Sequence, residues 1–246
     1  MQESFFLFYV ILFIVAFLYA SVGHGGASGY LALMAIFAIS PAVMKPTALL
    51  LNLFVSSTSF IQFYRGGHFK WKMFWPFAAA SIPLSFLGGT MAIESAAYKK
   101  ILGVLLLIPV IRFFFFKNAD PKDFRKANIP LSLAVGGIIG LLSGMIGIGG
   151  GIILSPVILL LKWADQKQTA AISAAFIFVN SVAGLGGQLI KGFQFNNDML
   201  TYVGVAFLGG ICGAYFGALK FPQTVLKNVL ACVLALAAYK LLFTHA

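Results

Sequence analysis

The chain carries very little charge, and only a small part of that charge is acidic. Only 9% of its 246 residues are charged, and Asp and Glu together number six. A soluble globular domain has about 25% charged residues, so this composition excludes that class. Hydrophobic residues make up 61% of the sequence and the mean hydropathy is +0.97. These values predict a polytopic protein of the lipid bilayer.

The residue patterns of enzymes are also missing. Cys212 and Cys232 lie in apolar segments without metal-ligand spacing. No Walker-type phosphate loop and no Ser/His/Asp or His/Glu set occurs in the sequence. We therefore expect no enzymatic activity, metal or cofactor. The net charge of +11 comes from basic residues dispersed among loops without a recognition motif, which argues against nucleic acid as a partner.

Ten apolar segments follow one another along the chain, and most approach the roughly 20 residues that a membrane-crossing helix needs. They span residues 4–22, 29–40, 47–64, 73–93, 101–116, 129–146, 152–161, 169–190, 199–219 and 225–243. The first lacks a basic flank and is interpreted as a retained helix. A polar connector separates the first five from the last five. The sequence thus predicts an all-α polytopic membrane protein with membrane repeat 1 at 1–116, a cytoplasmic connector at 117–128 and membrane repeat 2 at 129–246.

A glycine cluster interrupts the apolar sequence at the same point of each half. The runs are Gly23-His24-Gly25-Gly26-Ala27-Ser28-Gly29 and Gly147-Ile148-Gly149-Gly150-Gly151, which are 124 residues apart. Asn52 and Asn180 also match, at a spacing of 128. Paired interruptions of hydrophobic segments are typical of the binding sites of transporters built from repeats. An internal duplication is the simplest explanation.

The basic residues indicate how each interrupted segment lies in the membrane. If each glycine break turns the chain back to its own side, most Lys and Arg residues share one face, as the positive-inside rule requires. If each segment instead crosses once, the two faces receive nearly equal numbers. We therefore predict two inverted repeats with both termini outside, each made of a glycine-broken helical hairpin plus three spanning helices.

The breaks are also the strongest candidates for a binding site. Unpaired N–H groups at the N-terminus of a helix, together with the helix dipole, favour an anion. Tight helix packing is the alternative role for each single glycine. The two asparagines lie within spanning segments, where a neutral amide can donate to an anion at a lower burial cost than a charge. The candidate substrate-binding residues are Gly25, Gly26, Ala27, Ser28, Gly149, Gly150, Gly151, Asn52 and Asn180.

His24 is the ionisable residue within the first break, and Ile148 stands at the matching position of the second. Histidine can bind a proton near neutral pH, so His24 is a candidate for proton coupling. The alternative is a neutral imidazole that caps the backbone of the loop.

The second break and the residues that follow it carry a family resemblance. The stretch Gly147-Ile148-Gly149-Gly150-Gly151-Ile152-Ile153-Leu154-Ser155-Pro156, together with a second glycine break in a small basic membrane protein, resembles the TauE/SafE family of sulfite exporters and sulfonate permeases. The resemblance covers essentially the whole chain and implies transport of small sulfur-containing anions or organic acids. The first break departs from the pattern, with Ala27 at the third glycine and no matching proline.

The expected function is therefore that of a secondary transporter in the cell (inner or plasma) membrane. It would move a small anion, a sulfur-containing oxyanion or organosulfonate, by alternating access, with protons as a candidate coupling ion. A passive anion channel of the same architecture is the alternative. The expected partners are the small anionic solute and the lipid bilayer, and the oligomeric state is left open.

Overall fold

The protein is described by a computed structural model that covers residues 2–21, 25–115, 124–193 and 197–217, together with residues 235, 238, 239, 242 and 243. Within these ranges the chain is helical apart from short connections. The helices are α1 Gln2–Ser21, α2 Ala27–Ile36, α3 Pro41–Arg65, α4 Trp71–Thr90, α5 Ser95–Phe115, α6 Ile129–Ile146, α7 Gly151–Leu160, α8 Gln166–Ile190 and α9 Asn197–Gly217. Most of the predicted connector and of the tenth apolar segment lies outside the described residues.

Several of these helices are long and apolar enough to cross a bilayer. Among the described residues, three meet this condition by length and composition, namely Pro41–Arg65, Ile129–Ile146 and Lys167–Ile190. Four shorter apolar helices accompany them: Phe6–Ala20, Ala27–Ile36, Gly151–Leu160 and Asp198–Gly213. The prediction of an all-α membrane protein is confirmed.

The two halves contain helices of matching length and matching ends. The short helices α2 and α7 each have 10 residues, and the long helices α3 and α8 each have 25. Ala38 after α2 has φ 56° and Lys162 after α7 has φ 55°, at a spacing of 124 residues. Gly67 after α3 and Gly192 after α8 have φ 73° and 80°, at a spacing of 125. The chain thus repeats one sequence of helices and turns.

This spacing corrects one of the matches drawn from the sequence. α3 and α8 begin at Pro41 and Gln166, which are 125 residues apart. In the structure Asn52 therefore corresponds to Ile177, and Asn180 lies three residues further along α8. The predicted spacing of 128 was therefore wrong. It differs from 125 by three residues, which is nearly one helical turn. Asn180 thus lies on nearly the same helix face as Ile177, and the sequence pattern alone does not separate the two.

Both short helices fold back along the helix before them. Phe37 at the end of α2 packs on Phe8 near the start of α1, with ring centroids 5.2 Å apart. At the end of α7, the carbonyl oxygen of Lys162 accepts a hydrogen bond of 2.8 Å from the N–H of Arg125, just before α6. Ten residues of helix measure about 15 Å, half of a ~30 Å hydrocarbon core. The described ends of the two breaks, at Gly26 and Gly150, therefore lie where a short helix turns back along the helix before it.

Small residues pack α4 closely against α6. Gly136, Gly140 and Gly144 of α6 each approach the α4 backbone, at Phe77, Ser81 and Ser85 respectively. In the other half, Gly209 and Gly213 of α9 approach the backbone of α1 at Phe13 and Phe17. In both pairs the residue numbers rise together, so the two helices run parallel. Helices associate in lipid through such close backbone approach, because lipid tails solvate apolar side chains as well as another helix does.

The long helices α3 and α8 cross near their midpoints. The Nδ2 of Asn52 donates to Ser181 Oγ at 3.3 Å, and Gly184 lies next to the side chain of Leu49. Residue numbers rise on one helix as they fall on the other, so α3 and α8 are antiparallel. Their crossing point lies in the buried centre of the helix bundle.

Replacing Gly140 with alanine tests the close approach of α4 and α6. A Cβ at Gly140 would lie 2.5 Å from Ser81 Cα. We therefore expect Gly140→Ala to lower the midpoint of thermal unfolding in detergent. This is the opposite of the stabilisation by ~1 kcal/mol that alanine ordinarily gives over glycine inside a helix. Gly204→Ala is the matched control, because no atom lies within 4 Å of a Cβ at Gly204. Equal midpoints for the two variants would contradict the packing.

Candidate functional site

The two glycine breaks meet at the crossing of α3 and α8. A Cβ placed on Gly25 would lie 2.9 Å from Ile177 Cγ2 and 3.2 Å from Asn52 Oδ1. A Cβ placed on Gly149 would lie 3.0 Å from the same Ile177 atom and would overlap Asn52 Nδ2. One asparagine and one isoleucine therefore separate the tips of the two hairpins.

Glycine is required at these tips by the backbone conformation. Gly26 precedes α2 with φ 91°, and Gly150 precedes α7 with φ 77°. Gly149 has φ 75°. An L-residue with a side chain pays about 1–2 kcal/mol in this left-handed region. The two short helices thus begin in the same way, each at a left-handed glycine with no side-chain cap.

The start of α7 leaves amide groups available. The N–H groups of Gly149, Gly150 and Gly151 donate to no protein acceptor within the described part of the chain. The first N–H groups of a helix have no partner within the helix, and the dipole places a partial positive charge at this end. The break is buried, so this partial charge is directed into the protein interior.

Asn52 is the polar side chain between the tips. It is fully buried, its Nδ2 donates to Ser181 Oγ at 3.3 Å, and its Oδ1 has no partner. A buried polar atom without a hydrogen bond costs free energy, so this side chain is available for a ligand. A half-turn about χ2 exchanges the amide oxygen and nitrogen in nearly the same volume, which lets Asn52 present either an acceptor or a donor.

Asn180 has a different environment. Its Nδ2 donates to the carbonyl oxygen of Phe176, one turn back on the same helix, at 2.8 Å. Its own carbonyl oxygen accepts from Ser85 Oγ at 2.8 Å, while its Oδ1 is buried and unpaired. Ile177 rather than Asn180 is the α8 side chain in contact with both breaks.

The remaining candidates of the breaks are buried at the starts of the short helices. Ser28 Oγ and Tyr19 OH are 2.6 Å apart, which ties α2 to α1. Ala27 is buried beside it. Gly151 packs against Ile177 and the carbonyl oxygen of Ser173. His24 lies outside the described residues.

Reasoning from the sequence did not identify two residues at the site. Ile177 contacts Gly25, Gly149 and Gly151, and Tyr30 places its ring next to Gly26 with its buried hydroxyl unpaired. Both belong to apolar helices, where isoleucine and tyrosine are ordinary core residues. The spacing of 125 between the halves, once known, identifies Ile177 as the counterpart of Asn52.

Within the described ranges, no group of three His, Cys, Asp or Glu side chains is placed to hold a metal ion. The chemistry available at the breaks is that of backbone amides, one side-chain amide and hydroxyl groups. Such a site can bind and orient a solute.

Apolar helices, glycine-tipped hairpins and a buried polar crossing define a multi-pass helical membrane transporter. The family model described as "Sulfite exporter TauE/SafE" matches residues 8–241. The chain therefore belongs to the TauE/SafE sulfite exporter family, as the resemblance in the glycine breaks indicated.

Two relatives with transporter names align over nearly their whole length. "Probable membrane transporter protein y4hK" of Sinorhizobium fredii is 35% identical over 240 residues, covering 95% of this chain and 96% of the relative. "Probable membrane transporter protein YdhB" of Bacillus subtilis is 26% identical over 249 residues, covering 96% and 100%. No solved structure matches the chain significantly.

Replacing Gly149 with alanine tests the contact between the breaks and Asn52. Gly149→Ala would place a side chain on a left-handed backbone and also make it collide with Asn52. We therefore expect loss of transport, together with a larger fall in the free energy of unfolding than backbone strain alone would cause. Gly67→Ala is the control, because Gly67 has φ +73° but no atom within 4 Å of its Cβ position. It carries the strain of about 1–2 kcal/mol without the collision. Comparable effects of the two variants on transport would contradict the site.

Proposed function

We propose that the protein is a secondary transporter that moves a small sulfur-containing oxyanion or organosulfonate across the cell membrane by alternating access. The observation that carries this proposal is the meeting of both glycine breaks against Asn52. Binding sites of secondary transporters lie near the bilayer midplane, where interrupted helices of two repeats face each other.

The proposal includes two inverted repeats. Corresponding helices α3 and α8 are antiparallel and cross near their midpoints, which is the relation expected when the axis between the halves lies in the membrane plane. The pairing of the remaining helices is reciprocal, since α4 of the first half packs on α6 and α9 of the second half packs on α1. The first helix of each half therefore packs against the other half. The two resulting groups of helices can rock against each other as units.

The chemistry of the breaks favours an anion. Unpaired amides of Gly149, Gly150 and Gly151 lie at the positive end of α7, and the same type of helix start precedes α2 at Gly26. Backbone amides and an asparagine can replace the hydration of an anion without a fixed positive charge, so binding remains weak enough for release. The family description names a sulfite exporter, and sulfite is a small oxyanion of the class proposed here.

In the described conformation the meeting point is closed. Gly25, Asn52 and Gly149 are buried, and Ile177 packs against both glycines. A solute reaches the amides only when the two hairpins separate. Alternating access then consists of opening this contact first toward one face and then toward the other.

Flux through proteoliposomes that contain the purified protein tests the function. We expect uptake of sulfite, thiosulfate or sulfoacetate above that of unrelated carboxylates. We also expect counterflow, in which unlabelled internal substrate accelerates entry of labelled substrate. Counterflow requires a carrier that returns loaded, so uptake without counterflow would indicate the passive channel. Absence of anion flux under all conditions would refute the proposal.

Asn52→Leu should reduce this flux at least tenfold, because leucine keeps the branched shape of the side chain but offers no hydrogen bond to a desolvated anion. Val55→Leu, one turn along the same helix, is a control for added bulk near the crossing. If Asn52→Leu transports at the normal rate, the anion does not bind between the breaks.

His24 is proposed to couple transport to protons. A histidine that carries the coupling proton makes uptake depend on a pH gradient near neutrality. We expect His24→Gln to transport down a substrate gradient but to lose the stimulation by an imposed proton gradient. Unchanged stimulation in the variant would exclude this role while leaving the anion site intact.

A further inference from the structure

A polar pocket of about 360 Å³ lies at the ends of α3, α4, α5, α6 and α8, away from the meeting point of the breaks. Its polar side chains come from three of these helices. They are Lys45 of α3, Ser95 and Tyr98 of α5, Gln188 of α8 and Lys191 just after α8. Two cations thus line one pocket, and none of the lining residues that the structure describes is acidic.

Lys45 is buried in this pocket without a counter-ion. It is only 8% exposed, and its Nζ makes one hydrogen bond, of 3.3 Å, to the carbonyl oxygen of Met91. An ammonium group has three N–H donors, so two remain for a ligand or water. A buried charge is costly unless it is paired, and no carboxylate pairs with Lys45 within the described ranges. An anion in the pocket would supply the missing charge.

The pocket also adjoins the second glycine break. Gly147 packs against the backbone of Lys45, since a Cβ on Gly147 would lie 2.7 Å from the Lys45 carbonyl oxygen. Tyr98, which lines the pocket, donates through its hydroxyl to the carbonyl oxygen of Ile146 at 2.8 Å. The end of α6 and the start of the break therefore form part of the same local structure as the pocket.

A stripe of polar residues continues from Lys45 along one face of α3. Lys45, Asn52, Ser56 and Ser59 follow at intervals of seven, four and three residues, which places them within an arc of about 60° on a helix with 3.6 residues per turn. Each is buried, and Asn52 Oδ1, Ser56 Oγ and Ser59 Oγ have no hydrogen-bond partner. Unpaired hydroxyls in a row on a central membrane helix are expected where a polar solute passes.

We propose that the pocket is the entry site of the transported anion, in which Lys45 captures a small sulfur oxyanion before it reaches Asn52. Seven residues of helix separate the two side chains by about 10 Å, so capture and central binding are distinct steps. Lys191 adds a second positive charge at the rim, where it is exposed. This inference rests on the proposed transport function.

Charge-selective labelling tests the pocket without requiring transport. Cys212 and Cys232 are replaced by serine, and Ala92, an exposed residue of the pocket lining, is replaced by cysteine. The thiol is then labelled with anionic sulfonatoethyl or cationic trimethylammonioethyl methanethiosulfonate. A positive pocket concentrates the anion, so we expect Lys45→Gln to lower the ratio of anionic to cationic labelling rates about tenfold. Lys100→Gln, an exposed lysine outside the pocket lining, should change the ratio less than twofold.

Transport kinetics then assign the pocket its role. We expect Lys45→Gln to raise the KM for the anion about tenfold with little change in kcat, and Lys45→Arg to restore the KM because the positive charge returns. An unchanged labelling ratio, or a changed ratio with an unchanged KM, would overturn the entry site. If the ratio falls but no anion is transported by the unaltered protein, the pocket binds anions and the proposed function fails instead.

Discussion

The structure depends on the protection of interrupted backbone from lipid. Each glycine break frees N–H and C=O groups that hydrocarbon cannot satisfy, so both breaks must lie against protein. Both breaks lie against the same two side chains, Asn52 and Ile177, which stand between them. The same constraint that holds the two hairpins together also creates a buried polar region. Stability and the candidate site therefore have one origin.

Close packing of small residues makes this arrangement possible. The glycines of α6 allow α4 to approach backbone to backbone, and those of α9 do the same for α1. Each contact joins one half of the chain to the other. The crossing of α3 and α8 lies between these two tight pairs, and it carries most of the buried polar side chains that line the proposed route. Rigid pairs on either side of a polar crossing suit a protein in which two groups of helices, each including the first helix of the other half, move as units.

The sequence predicted the helical membrane class and the sharp breaks, because composition and glycine clusters are local signals. Helices α2 and α7 begin within two residues of the predicted segment starts at Gly29 and Ile152. The residue of the second half that corresponds to Asn52 was predicted incorrectly. A shift of three residues keeps a side chain on nearly the same helix face, so hydrophobic pattern does not distinguish Ile177 from Asn180. The contacts of Ile177 and Tyr30 arise only from the fold, since apolar residues in apolar helices carry no distinguishing pattern.

The most direct measurement is an experimental structure of the protein soaked with selenite, an anomalously scattering analogue of sulfite. The account predicts anomalous density between the hairpin tips, within hydrogen-bond distance of the amides of Gly149–Gly151 and of Asn52. Selenium bound away from both breaks and outside the Lys45 pocket, with the contact between Gly25, Asn52 and Gly149 still closed and dry, would contradict it.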